Sequence, residues 1–225
     1  MMLRMRTLLA SGVLLVAGAV AAQVGANKTL LDPNLASREQ LLTVPHFDAA
    51  LVDALIEERP FLTMAALDKR LRGPVAAEQL PEVYAKLWLA IDLNAATREE
   101  LLLIPGVGKK MAHEFEEYRP YDGLPRFRRE IGKYVDATEV ARLEQYVYLR
   151  LDLNTATAEE FATIPGVGKK MVHEFLEYRP YTDIAQFRRE IGKYVDEKEV
   201  ARLERYVKLE PAAADKVEPK SEPKD

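Results

Sequence analysis

The sequence predicts an all-α protein made of three tandem copies of one unit, each of about four short helices, followed by a disordered C-terminal tail. Three observations carry that expectation. The segment from Asp92 to Leu151 aligns without a gap on Asp152 to Pro211, and roughly two thirds of the positions are identical, a fixed-period self-similarity. A more divergent copy lies upstream at the same spacing: Asp32, Asn34 and Ala36 fall on Asp92, Asn94 and Ala96, Pro45 on Pro105, and Glu57, Arg59, Pro60 and Phe61 on Glu117, Arg119, Pro120 and Tyr121. Strand-type alternation is absent throughout, whereas apolar residues recur at helical spacing. The expected units are residues 32–91, 92–151 and 152–210.

Bulk properties frame those units. The chain has 225 residues, 48% hydrophobic and 30% charged, a composition of globular type. Residues 1–22 run from Arg4 and Arg6 through an apolar stretch to Ala19, Val20, Ala21 and Ala22, the layout of a secretory signal peptide, with residues 23–31 as a linker. An uncleaved membrane anchor is the alternative, but a spanning helix needs roughly 20 apolar residues and the run is shorter. The expected location is therefore periplasmic or secreted. Cysteine is absent, which excludes a lipoprotein anchor, a disulfide frame and a thiolate metal site. Removing the leader leaves 30 Lys plus Arg against 36 Asp plus Glu, a formal charge of −6. Strong nucleic-acid binding usually shows a basic face, so any such function has to rest on local patches.

Each unit opens on a capping box: Ser37 with Gln40, Thr97 with Glu100, Thr157 with Glu160. A short first helix runs into the proline of IPGVGKK, at 104–110 and 164–170. A second helix starts at the lysines and keeps Met111, Phe115 and Tyr118, or Met171, Phe175 and Tyr178, on one face. It stops before Pro120 and Pro180 in YRPY. FRREI, at 127–131 and 187–191, forms a third helix. After turns at Gly132 and Gly192, Asp136 and Asp196 cap a fourth helix that carries Val140, Leu143 and Val147, or Val200, Leu203 and Val207. Residues 211–225 have no apolar face to bury and read as a disordered tail.

The Pro-Gly-Val-Gly turns carry the chemistry. Glycine permits positive φ and a close backbone approach, and the amides that open the next helix point outward with its positive dipole end, a setting that accepts an anion. Lys109 and Lys110, with Lys169 and Lys170, stand in that first turn, where cations oppose the dipole. The bland reading is a tight turn with solvated lysines; the functional reading is a phosphate site.

LNAATREELLLIPGVGKKMAHEFEEYR and LNTATAEEFATIPGVGKKMVHEFLEYR resemble the helix-hairpin-helix repeats of ComEA-type competence proteins, exported DNA receptors that contact the backbone without reading sequence. The resemblance implies a SAM-like fold of the paired-hairpin type and non-specific binding of double-stranded DNA. It places the phosphate contacts at Gly106, Val107, Gly108, Lys109 and Lys110, and at Gly166, Val167, Gly168, Lys169 and Lys170. The single-glycine IGKYVD turns and the PY after the second helix are also similar to PsbU-like extrinsic subunits, which dock on proteins, so a protein complex of the cell envelope stays open as partner.

In the first copy the motif reads VPHFDAA. His46 and Asp48 replace the glycines and Ala49 and Ala50 the lysines, which makes that unit structural. Arg128, Arg129 and Lys133, with Arg188, Arg189 and Lys193, form a secondary basic strip whose plainer reading is pairing with Glu130 and Glu190. His113 and His173 precede glutamate, but HEFEE and HEFLE lack the second histidine of a helical zinc site. Tyr121 and Tyr181 are read as packing rather than as base-stacking residues. No nucleophile, base and orienter recur together, so neither catalysis, a cofactor, a metal nor a small-molecule substrate is expected.

Overall fold

The computed structural model describes residues 29–210. The leader expected at 1–22, the linker up to residue 28 and the tail expected at 211–225 lie outside the described residues.

The first helix, α1 (Arg38–Leu41), starts on the expected reciprocal cap: Ser37 Oγ accepts from the Gln40 amide at 3.2 Å and Gln40 Oε1 accepts from the Ser37 amide at 2.8 Å. A turn through His46 leads to α2 (Ala49–Glu57), and α3 (Met64–Leu71) and α4 (Leu80–Tyr84) complete the group. The same succession recurs as α5 (Arg98–Leu102), α6 (Lys109–Glu117), α7 (Leu124–Ile131) and α8 (Ala137–Glu144), then as α9 (Ala158–Phe161), α10 (Lys169–Glu177), α11 (Ile184–Ile191) and α12 (Glu197–Glu204). Thr97 with Glu100 and Thr157 with Glu160 repeat the reciprocal cap, and Asp136 and Asp196 accept from the Glu139 and Glu199 amides. Caps of this kind contribute about 1 kcal/mol each, which matters for helices too short to stand alone.

Three further devices recur with the helices. Asn34, Asn94 and Asn154 each grip the backbone after the second helix: Nδ2 donates to the carbonyl of Phe61, Tyr121 or Tyr181 at 2.9 Å, and Oδ1 accepts from the amide of the same residue at 2.7 Å. Arg59, Arg119 and Arg179 reach back to two carbonyls each in the segment that opens the group, those of Pro33 and Ala36, Leu93 and Ala96, or Leu153 and Ala156. The peptide bond that follows each of these arginines is cis. The start of each group also pairs in parallel with its end. Leu31 bridges Leu87, β1 (Ile91–Asp92) pairs with β2 (Val147–Tyr148), and β3 (Leu151–Asp152) with β4 (Val207–Lys208).

These parallel pairs correct the expectation of helix alone. Two residues are too few to show a period-2 pattern, so the sequence carried no strand signal. They also relocate Val147 and Val207: the fourth helices end at Glu144 and Glu204, and both valines lie in strands whose flanking Tyr146 and Tyr206 carbonyls accept from Ile91 and Leu151. Both positions are buried, so their apolar spacing fits the strand as well as a helix. The last residues assigned to the linker are likewise part of the fold, with Leu30 buried and the Leu31 amide donating to the Lys86 carbonyl at 2.7 Å.

Aromatic side chains join the groups. Trp88 Nε1 donates to the Tyr146 carbonyl at 2.9 Å with the rings edge-on at 5.1 Å, and one apolar core runs through the first two groups. Sixty positions later Tyr148 donates to the Arg205 carbonyl at 2.7 Å and packs on Tyr206 at 4.9 Å, which brings the core of the third group alongside. Arg205 then donates to the Ala90 carbonyl at 2.8 Å, fixing the third group to the junction of the other two. Among the described residues no helix is long and apolar enough to cross a membrane.

Candidate nucleic-acid interface

The IPGVGKK turns occupy the surface between α5 and α6 and between α9 and α10. Ile104 and Ile164 anchor them in the core, and the amides of Val107 and Val167 close the turn onto the isoleucine carbonyls at 3.0 Å. Gly106 and Gly166 take φ of 82° and 78°, the left-handed region that favours glycine. The first copy makes the same turn with His46 at φ 65°, so loss of the glycine did not change the path.

The second glycine does not use the positive φ that glycine permits. Gly108 sits at φ −95°, ψ 176° and Gly168 at −93°, 171°, ordinary extended backbone, and a Cβ at either would meet nothing within 4 Å. Neither conformation nor crowding requires glycine there. Its effect is on the helix that follows: α6 and α10 begin without a side-chain cap and without an acid in the first turn, whereas Asp48, at the same position of the first copy, caps α2 by accepting from the Leu51 amide at 2.8 Å. The first-turn amides of α6 and α10 thus have neither an intrahelical acceptor nor a cap. Lys109, Lys110, Lys169 and Lys170 are exposed above them and join no ion pair among the described residues.

Arginines beneath the turns complete the arrangement, and sequence reading missed them. Arg202, 2% exposed, donates from Nη1 to the Pro165 carbonyl at 2.7 Å, and its Nη2 lies 3.1 Å from where a Gly166 Cβ would stand. Arg142 places Nη2 at 3.3 Å from the equivalent point on Gly106. Each is clasped by the acid three residues before it, Glu139 or Glu199, through two bonds of 2.7 Å. The bond from Arg142 holds the Glu139 carboxyl below the usual carboxylate range. The counterpart in the first copy is Glu82, which pairs with His46 at 2.9 Å. The glycine turns therefore rest on a cation and the histidine turn on an anion. The recurring Glu-x-x-Arg of EVAR was the available signal.

The secondary strip is engaged internally. Arg128 and Arg188 form two-bond pairs with Glu144 and Glu204 at 2.6–2.7 Å. Arg129 and Lys133 both bond Glu130, and Arg189 and Lys193 both bond Glu190. Those bonds, Lys133 first, hold the Glu130 carboxyl below its ordinary range. His113 and His173 are exposed on their helices beside Glu117 and Glu177 at 3.3 and 3.2 Å. Tyr121 and Tyr181 are 3% exposed, their rings packed near Phe127 and Phe187 and burial pushing their phenols up, so they are core residues out of reach of a base.

A short helix, a glycine turn and a second helix opening on bare amides make a helix-hairpin-helix motif, and residues 90–115 match the family model described as "Helix-hairpin-helix motif". The chain is also similar to the "Endonuclease/exonuclease/phosphatase family domain-containing protein 1" of Xenopus laevis, with 27% identity over 40% of this chain and 21% of that protein. The chain thus matches about a fifth of that relative's length. No solved structure matches it significantly.

Proposed function

We propose that this chain is an exported, non-catalytic protein of three tandem helix-hairpin-helix units, at 32–91, 92–151 and 152–210, that binds double-stranded DNA without sequence preference in the manner of ComEA-type receptors, with a role in DNA uptake. Phosphates are held by the amides of Gly106, Gly108, Lys109 and Lys110, of Gly166, Gly168, Lys169 and Lys170, and by the four lysine side chains; the Val107 and Val167 amides expected among them are engaged by the Ile104 and Ile164 carbonyls. One observation carries the reading: α6 and α10 open on an uncapped glycine beneath two exposed lysines that join no ion pair among the described residues, where α2 opens on an aspartate cap. The match to the motif, and a relative whose title names an endonuclease/exonuclease/phosphatase domain, agree with nucleic acid as the general class of partner.

Fluorescence anisotropy of a labelled random duplex tests this. Micromolar protein should bind, and changing Lys109, Lys110, Lys169 and Lys170 to Glu should abolish binding; an unchanged affinity would overturn the reading. The internal pairing of all six secondary cations and the −6 charge favour one alternative, an extracytoplasmic scaffold or PsbU-like subunit. That role predicts a specific protein partner recovered by cross-linking in cells, with no DNA binding by the purified chain.

A further inference from the structure

A second cluster lies beside each lysine hairpin. Tyr134, at the tip between α7 and α8, lines one cleft together with Gly108, Lys110, Met111 and Glu114. Its hydroxyl lies 2.8 Å from that of Tyr118, and Glu114 in the same cleft is 7% exposed. The copy at Tyr194 repeats this: its hydroxyl is 2.9 Å from that of Tyr178, and the Lys170 ammonium lies 5.8 Å from the centre of its ring. Both tyrosines remain 40% exposed although each hydroxyl makes a hydrogen bond. Lys133 and Lys193 cover the neighbouring rings of Tyr118 and Tyr178 at 4.8 and 4.9 Å, which leaves Tyr134 and Tyr194 as the outward members.

The first copy has none of this. Pro74, Glu58, Ala54 and Ala50 stand where the others have tyrosine, tyrosine, glutamate and lysine, so the cluster is present only where the lysine hairpin is. Core packing does not account for it, because the first copy folds the same way without it and the rings face outward. An aromatic ring tethered through its hydroxyl loses little entropy on making a contact, and its exposed face is apolar.

We propose that Tyr134 and Tyr194 are the neutral half of the binding surface, taking the sugar rings of the nucleic-acid strand whose phosphates the adjacent hairpins hold. This rests on the phosphate-binding reading and adds a salt-independent component to it. Tyr118 and Tyr178 are positioning residues that hold the rings through their hydroxyls.

The test is duplex binding by the full chain, measured by anisotropy across a salt series. Tyr134→Ala with Tyr194→Ala should lower affinity about tenfold, about threefold for each ring, at every salt concentration and leave the slope of log affinity against log salt unchanged. Tyr134→Phe with Tyr194→Phe, which keeps the rings, should retain most of the affinity. Should the alanine pair melt below the assay temperature, Tyr134→Gln with Tyr194→Gln replaces it, with the same expected loss. Wild-type affinity in a folded alanine or glutamine pair would overturn the proposal while leaving the lysine hairpins in place. An altered salt slope would also overturn it, by showing an ionic contact. Absence of binding by the unmodified chain would sink both readings together.

Discussion

Replacing Gly108 and Gly168 with aspartate should make the protein more stable and worse at binding. Both glycines have extended backbone angles open to any residue, and a new Cβ would meet nothing within 4 Å, so the substitution adds no strain. Asp48 shows what an aspartate does at this position: it caps the helix through the third amide at 2.8 Å. An aspartate cap is better than glycine by a few tenths of a kcal/mol, an acid at a helix N-terminus adds ~0.3–1 kcal/mol, and loss of glycine's unfolded-state freedom adds ~0.4–1 kcal/mol. The gain is about 1 kcal/mol per helix, or about 2 kcal/mol for the pair, which in a chain of this size raises Tm by about 4–8 °C. The same carboxylates occupy the amides proposed for phosphate and repel it, so affinity for duplex should fall at least about tenfold. Circular dichroism melts and anisotropy on one preparation give both numbers. A lower Tm would refute the capping argument, and wild-type affinity in a stabilised variant would refute the assignment of those amides to phosphate.

Other outcomes follow from the same geometry. Asn94→Ala removes two hydrogen bonds and leaves the Tyr121 amide and carbonyl unpaired, so urea unfolding should show a loss of about 2–4 kcal/mol. Arg128→Ala with Arg188→Ala should lower Tm slightly through loss of the Glu144 and Glu204 bonds, yet change duplex affinity less than about twofold; a tenfold loss would show that these arginines leave their partners for DNA. Bonds from Arg98 and Arg142 lower the folded-state pKa of Glu116 and Glu139. Their stabilisation is complete above the unfolded carboxylate range, about 4, and is lost as pH falls through the lower folded values. Asp32 has the opposite sign, because burial raises its pKa and its contribution is lost as pH rises. Glu130 and Glu190 are lowered as well, so the lowered acids outnumber the raised Asp32 and Tm should drop below about pH 4, less steeply in Glu116→Gln; a Tm that rises in acid would contradict these assignments.

The helical architecture was legible because its signals are local and repeated. A capping box needs only four residues, and Ser37, Thr97 and Thr157 each formed one. What escaped depends on residues far apart in sequence. The two-residue parallel pairs join positions 56 apart and carry no periodicity of their own, so Val147 and Val207 read as helix. At the site, the lysines and the turn could be read directly, but the meaning of the second glycine could not. It emerged only when its ordinary backbone angles were set beside the cap made by Asp48. Arg142 and Arg202 were hidden for the same reason, since each reaches its turn from a helix more than thirty residues away.

The central claim is that two lysine hairpins hold nucleic-acid phosphates, and the salt dependence of duplex binding tests it most directly. Four lysines that neutralise four phosphates give a slope near −3.6 in log affinity against log salt, about a hundredfold loss between 50 and 200 mM. Changing Lys109 and Lys110 to Ala should roughly halve that slope, and changing all four lysines should flatten it. A wild-type slope that survives the loss of all four, or no salt-sensitive binding by the unmodified chain, would contradict the account.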